Sequence, residues 1–446
     1  MLLTALALTG VAAAASASAP AKRRFVPDLP PPITKRDGST EATPAQTFDL
    51  RIDTGTGITY VYDGDCGSAQ CAGRTRFAAA SSSSYQVANN NTASVESVGG
   101  GVTGVWGVDK LEVGGTAVSN ALFLRASDAA DVNADSNASG VLGLARAPGS
   151  LLESLAAKWG DKRFGVYLAP VGPDTWLSWL RKPDDAVESA AGGGLTLGGV
   201  DGAKFSGEVG YAPASGDSGW TIELSAVSAN MAQVELGGAT SAVVDTGSSG
   251  VYGPNALVER LYAGVEGVRR LDVGLRADVA LYAFPCGSEL AVSFWIAGRE
   301  FPMLADSAVA NVVSVGSETL CTGSIVGLLN ANDTTAWTLG SMFLRNVYTV
   351  FRLDPPAVGF ADLADDLRPP RTALASTMLP LVASLTGNAS VTDALSTVQA
   401  PTAAATKASN ASLRWSRDAV AIALVLATWA TILVFAPSVS PLLVVN

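Results

Sequence analysis

Between residues 45 and 365 apolar and polar residues alternate in short runs: Phe48-x-Leu50-x-Ile52, Leu195-x-Leu197, Trp220-x-Ile222-x-Leu224 and Val292-x-Phe294-x-Ile296. A period of two places successive side chains on opposite faces of a strand, so each run predicts a half-buried strand. Gly-rich stretches between the runs predict turns. Helical periodicity is confined to short pieces, Leu151 to Trp159 and Ala256 to Ala263. The middle of the chain therefore reads as all-β.

The ends carry different patterns. Residues 2 to 15 are apolar and rich in Ala, and Ala15-Ser16-Ala17 is a small-x-small cleavage pattern, so residues 1–17 read as a secretory signal despite lacking the usual positive charge at the start. The alternative, a buried N-terminal helix, suits such small residues poorly. Lys35-Arg36 follows a Pro-rich stretch and reads as a dibasic processing site closing a short propeptide at 18–36, a chance pair being the alternative. At the other end, Ala419 to Phe435 is a charge-free, mainly apolar run with Arg414 and Arg417 upstream and only uncharged residues after it. A membrane span normally carries its basic residues on the cytoplasmic side, and here they precede the run. Small residues at 409 to 412, a polar spacer and a terminal apolar tail match a glycosylphosphatidylinositol (GPI) attachment signal over 411–446, with a plain membrane span as the alternative. Residues 366–410, rich in Ser, Thr and Ala, read as a stalk.

Composition narrows the chemistry. The 446 residues contain no His, four Cys, 29 Lys plus Arg and 40 Asp plus Glu, for a formal charge of −11. Without imidazole, Ser-His-Asp and Cys-His hydrolases and His-ligated metal or haem sites are excluded, and four Cys allow at most one all-Cys zinc site. Acid–base chemistry must then run on carboxylates, Lys, Tyr or Cys. The acidic balance argues against a nucleic-acid surface. Asn90, Asn137, Asn332, Asn388 and Asn410 each head an Asn-x-Ser/Thr glycosylation pattern, in keeping with a secretory route. In an oxidising compartment the four Cys should form two disulfides, and proximity favours Cys66 with Cys71 and Cys286 with Cys321 over the other pairings.

An internal repeat points to the site. Asp53-Thr54-Gly55 recurs as Asp245-Thr246-Gly247, each after an apolar run. Val141-Leu142-Gly143 and Thr338-Leu339-Gly340 follow at nearly equal distances downstream, which suggests two lobes of one design. Two carboxylates facing each other cannot both ionise, so the pair holds one proton between them. One member can then take a proton from water while the other donates one to an amide carbonyl oxygen. In each triplet, Gly allows close backbone approach and N–H donation to the carboxylate. A buried Thr hydroxyl needs a partner, which across a two-fold axis is the opposite lobe's backbone. Thr56 and Ser248, next in sequence, keep a hydroxyl near each Asp.

Six ordered segments carry a resemblance: TPAQTFDLRIDTGTG at 43–57, SSSSYQ at 81–86, SGVLGLA at 139–145, GGLTLGGVD at 193–201, AVVDTGSSGVYGP at 242–254 and WTLGSMFLRNVYTVFRLDPPAVGFA at 337–361. In these the chain resembles the pepsin-type aspartic proteases, particularly the GPI-anchored fungal, yapsin-like sort. The resemblance implies a bilobal β fold with lobes at 37–205 and 206–365, and a cleft for an extended peptide or protein substrate. It further implies no metal or other cofactor, a monomer, and Asp53 and Asp245 as the catalytic dyad. It also supports the disulfide pairing above.

The sequence departs from that family in four places. The hairpin expected to close over substrate is VESVGGGVTGVWGVDKLEVGG at 95–115, with Ser97 at the family's Tyr position, Val98 where the family has Gly, and Gly99 and Gly100 following. The Trp that the family Tyr meets is Tyr60 here. The chain before Asp53 is short for the family's first strand, so either that strand is missing or residues 18–36 supply part of it. Ser341 stands where the family often has Asp. The expectation is a cell-surface aspartic endopeptidase acting at acidic pH, the alternative being a catalytically impaired relative that binds peptides or serves in the cell wall.

Overall fold

The computed structural model describes residues 6–8, 45–97, 100–130, 138–169, 193–271, 279–315, 318–329 and 336–368. They form a mostly β molecule. The alternating runs behave as strands with one buried face: Val292–Ile296 buries Val292, Phe294 and Ile296, and Trp220, Ile222 and Leu224 are all buried around strand Thr221–Glu223. The helical pieces are Leu151–Ala156 and Asn255–Tyr262. The first begins where the Ser150 hydroxyl accepts from the Glu153 amide and the Glu153 carboxylate accepts from the Gly149 amide, a near relative of the capping box.

The two halves repeat one strand arrangement. In the first, Arg51–Asp53 runs parallel to Gly140–Gly143, which is antiparallel to Tyr60–Tyr62, itself parallel to Thr116–Ala130. In the second, Ser241–Val244 runs parallel to Ala336–Leu339, which is antiparallel to Val251–Pro254, itself parallel to Ile325–Leu328. The Leu-Gly elements are thus the strands beside each Asp-Thr-Gly turn. Their carbonyls and amides hold the turns: the Leu144 amide donates to the Asp53 carbonyl at 2.7 Å, and the Asp245 amide to the Leu339 carbonyl at 3.1 Å.

An antiparallel platform joins the halves in the order Gly193–Leu197, Arg163–Leu168, Val347–Leu353, Pro356–Leu363 and Phe205–Ser215. Phe205–Ser215 continues into pairing with Thr221–Glu223 of the second lobe. Phe164 stacks on Phe351 at 4.7 Å, and Trp220 meets both rings edge-on. The Trp220 indole also donates to the Leu144 carbonyl at 2.8 Å, tying the platform core to the chain just past the first Leu-Gly element. Burying rings of this size contributes roughly 2–3 kcal/mol each, so this cluster helps hold the platform to the two halves.

Leu6–Leu8 lies within the stretch that reads as a secretory signal, and its backbone pairs antiparallel with Gln46–Phe48 and touches the strand Gly100–Val113. It occupies a sheet position upstream of the short connection to Asp53. Residues 18–36, the other source considered for that strand, lie outside the described residues, as do the stalk and the tail from 369 onward. Among the described residues no helix is long and apolar enough to cross a membrane. The run 419–435 is not among them.

Two disulfides, Cys66–Cys71 and Cys286–Cys321, lie one in each half, the first spanning 5 positions and the second 35. The second joins the end of strand Val279–Pro285 to Glu318–Gly323, whose register already sets Phe284 opposite Cys321. Asn90 lies in strand Gln86–Ser97 where the register shifts between Val87 and Thr92. Asn137, Asn332, Asn388 and Asn410 fall outside the described residues.

Candidate active site

The two Asp-Thr-Gly turns meet where the lobes join. A Cβ added to Gly55 would lie 2.6 Å from the Asp245 carboxyl carbon, and one added to Gly247 would lie 2.4 Å from that of Asp53. No side chain fits at either position, so glycine is required by the approach of the opposite carboxyl. The two carboxyls are thus brought together, each against the glycine of the opposite turn.

Both carboxylates are oriented by their own turns. Asp53 Oδ1 accepts from the amides of Gly55 at 2.8 Å and Thr56 at 3.1 Å. Asp245 Oδ1 accepts from the Gly247 amide at 2.8 Å, and its Oδ2 accepts from the Ser248 hydroxyl at 2.6 Å. The residues after the two glycines therefore act differently. Ser248 uses its hydroxyl on the carboxylate, whereas Thr56 uses its amide and turns its hydroxyl to accept from the Ile58 amide at 3.1 Å, capping the turn. The contact that Thr56 makes with Asp53 is through its amide, while its hydroxyl oxygen accepts from the Ile58 amide.

Beneath the carboxyls, Thr54 and Thr246 are buried and reach across the axis. The Thr54 hydroxyl donates to the Val244 carbonyl at 3.0 Å, and the Thr246 hydroxyl donates to the Ile52 carbonyl at 2.9 Å. Each hydroxyl also accepts from the other threonine's amide. Four bonds in this interlocked set fix the distance between the lobes at the point where the carboxyls meet.

Electrostatics favour a proton on the pair. Loss of hydration raises the Asp53 pKa from its ordinary value, the Asp245 charge raises it further, and the Arg51 guanidinium and the Gly55 amide oppose the shift. Among the described residues no group of three or more Cys, Asp or Glu side chains is gathered as a metal ion would need.

The hairpin expected over the dyad is formed by Gln86–Ser97 and Gly100–Val113, with Ser97 opposite Gly100 at its end. Val98 and Gly99 lie outside the described residues. Tyr60 is buried, its ring 6.0 Å from that of Tyr62, and the half-buried Trp106 of the hairpin packs against the same cluster. Trp106 is an aromatic on this hairpin that the alignment of Ser97 with the family Tyr passes over.

Sequence reasoning also missed three supporting residues. The Thr59 hydroxyl accepts from the Gly143 amide at 3.1 Å. The Ser341 hydroxyl donates to the Ser249 carbonyl at 2.9 Å, so this position braces the second dyad loop. Arg51 donates to the Gly247 carbonyl across the lobe boundary. For Arg51 a signal existed: it is a charged residue between the buried Leu50 and Ile52, on the same strand face as Asp53.

Comparison with known proteins agrees with this geometry. The family model described as eukaryotic aspartyl protease matches residues 41–363. The chain is 27% identical over 338 residues to major aspartyl peptidase 1 of Cryptococcus neoformans var. grubii, covering 72% of this chain and 67% of that protein. It is 27% identical over 324 residues to pepsin A of Rhinolophus ferrumequinum, covering 72% and 79% respectively. An aspartic protease of Phaffia rhodozyma is 27% identical over 318 residues, covering 71% of this chain and 73% of its own. A match that spans both lobes and both Asp-Thr-Gly turns means that the chain belongs to the eukaryotic aspartyl protease family.

Proposed function

We propose that the protein is an aspartic endopeptidase of the secretory route, held at the cell surface by a C-terminal lipid anchor and acting at acidic pH on extended peptide segments. The observation that carries the catalytic part is the mutual approach of the Asp53 and Asp245 carboxyls, each of which fills the space that a Cβ on the opposite glycine would need. In the singly protonated pair, the ionised carboxylate takes a proton from a water molecule as its oxygen attacks the scissile carbonyl carbon. The protonated carboxyl gives its proton to the carbonyl oxygen. The resulting gem-diol collapses as a proton passes to the amide nitrogen and the C–N bond breaks. Thr54, Thr246, Gly55 and Gly247 hold the two carboxyls in register, and Ser248 orients Asp245.

A second reading is favoured by the hairpin, whose end carries Ser97 where a ring would wall the cleft. On that reading the protein binds peptides or serves in the wall and cleaves slowly or not at all. Incubating the purified protein with a diverse peptide mixture from acidic to neutral pH, with and without a statine-type inhibitor, separates the two. Inhibitor-sensitive cleavage at acidic pH supports the endopeptidase, and peptide binding without cleavage supports the alternative.

A further inference from the structure

Strand Arg51–Asp53 has two faces. Leu50 and Ile52 flank Arg51 and point into the first-lobe core, so Arg51 and Asp53 share the other face, the one directed at the second lobe. There the Arg51 guanidinium donates to the Gly247 carbonyl. Gly247 belongs to the opposing triplet, and its amide is the donor that orients Asp245. One side chain of the first lobe therefore grips the turn that carries the second lobe's carboxyl.

The arrangement is one-sided. The residue in the corresponding place of the second lobe, two before Asp245, is Val243, an uncharged side chain on strand Ser241–Val244. The pair is otherwise close to symmetric in its turns and its Thr-Thr lock. The charged side chains that weigh on Asp53 are Asp245, which raises its pKa, and Arg51, which lowers it. A guanidinium keeps its charge throughout the range in which carboxyls titrate, so it supplies a constant positive field. Such a field stabilises every negative charge placed on the pair and opposes both burial and the mutual repulsion of the carboxylates.

We infer that Arg51 is a positioning residue of the dyad, tying the strand of Asp53 to the opposing triplet and setting by its fixed charge the pH window in which the two carboxyls share one proton. This rests on the endopeptidase reading for its meaning in catalysis. The positioning part rests on the bond from the Arg51 guanidinium to the Gly247 carbonyl, which puts the charge beside the turn that carries Asp245. Because a cation favours ionisation of the pair at both steps, its removal moves both steps toward higher pH.

The test is a carboxyl titration by NMR of the full-length protein labelled with 13C at the Asp carboxyl, the dyad signals being identified with Asp53→Asn and Asp245→Asn. A pH profile of peptide cleavage is recorded beside it. Arg51→Gln should move the dyad titration and both limbs of the profile upward by about 1 pH unit. Arg51→Lys, which keeps the charge and loses the planar fork, should restore the wild-type titration while lowering kcat. Arg51→Met serves as the second charge-removing variant should Arg51→Gln fail to fold. A dyad titration that stays in place when the charge is removed overturns the inference. A wild-type protein that cleaves nothing overturns the functional reading instead, and leaves the titration comparison intact.

Discussion

The hydroxyl of Thr54 accepts from the amide of Thr246 at 3.0 Å, and the hydroxyl of Thr246 accepts from the amide of Thr54 at 3.1 Å. Each of these hydroxyls at the same time donates to the opposite lobe, so neither lobe can shift without breaking bonds made by both.

Replacing either threonine by valine keeps the shape but orphans a buried amide and a buried carbonyl on the other lobe. Thr54→Val should lower stability by roughly 2–4 kcal/mol, because each buried unpaired group costs about 1–2 kcal/mol. Thr54→Ser should cost much less. Urea unfolding of the two variants checks this, and a loss in Thr54→Ser as large as or larger than that in Thr54→Val would show that the hydroxyl bonds do not dominate.

Stability should also depend on pH through Asp53. Burial, and then the Asp245 charge, raise its pKa in the fold above the ordinary carboxyl value of 3.8, so the folded state holds a proton that the unfolded chain releases. The contribution is fully present below about pH 3.8 and is lost as pH rises through the higher folded value. Unfolding free energy measured across this range should decline with pH, and Asp53→Asn should flatten the decline.

The two turns could be read from the chain because the chemistry demanded a repeated triplet: Gly55 and Gly247 each sit where the opposite carboxyl leaves no room for a Cβ. The strand faces around Ile52, Ile222 and Phe294 were equally legible, since burial on one face writes a period of two into the sequence. Arg51 left a signal, a charge between two apolar residues in a quoted motif, but not its partner, because an isolated charge in a strand usually marks a solvated face and only the second lobe's position gives it a contact. The partners of the Thr56 and Ser341 hydroxyls were not legible either: which nearby backbone group meets a hydroxyl is decided by turn geometry, which composition does not encode.

The hairpin offers a gain-of-function prediction. Ser97 is too short to wall the cleft, while Tyr60 is buried beside Tyr62 and Trp106 packs on their cluster. Ser97→Tyr should raise kcat/KM, by about 3- to 10-fold if the ring recovers roughly 1 kcal/mol of closure. The gain should be larger with Tyr60→Trp added. A double-mutant cycle on peptide cleavage measures it, and a loss in both variants would mean that this cleft closes differently.

Anchoring is tested at the cell surface. Phosphatidylinositol-specific phospholipase should release the protein from intact cells, and mass spectrometry of the released chain should find no peptide from residues 419–435. Retention after treatment, with that segment present, would favour a membrane span.

The most direct measurement is the rate of peptide cleavage at acidic pH by Asp53→Asn and by Asp245→Asn, each checked for native folding by near-ultraviolet circular dichroism. The account predicts inhibitor-sensitive cleavage by the wild type and a fall of about 10³-fold or more in either variant, because each removes one half of the proton-sharing pair. A folded single variant that keeps most of the wild-type rate would contradict it.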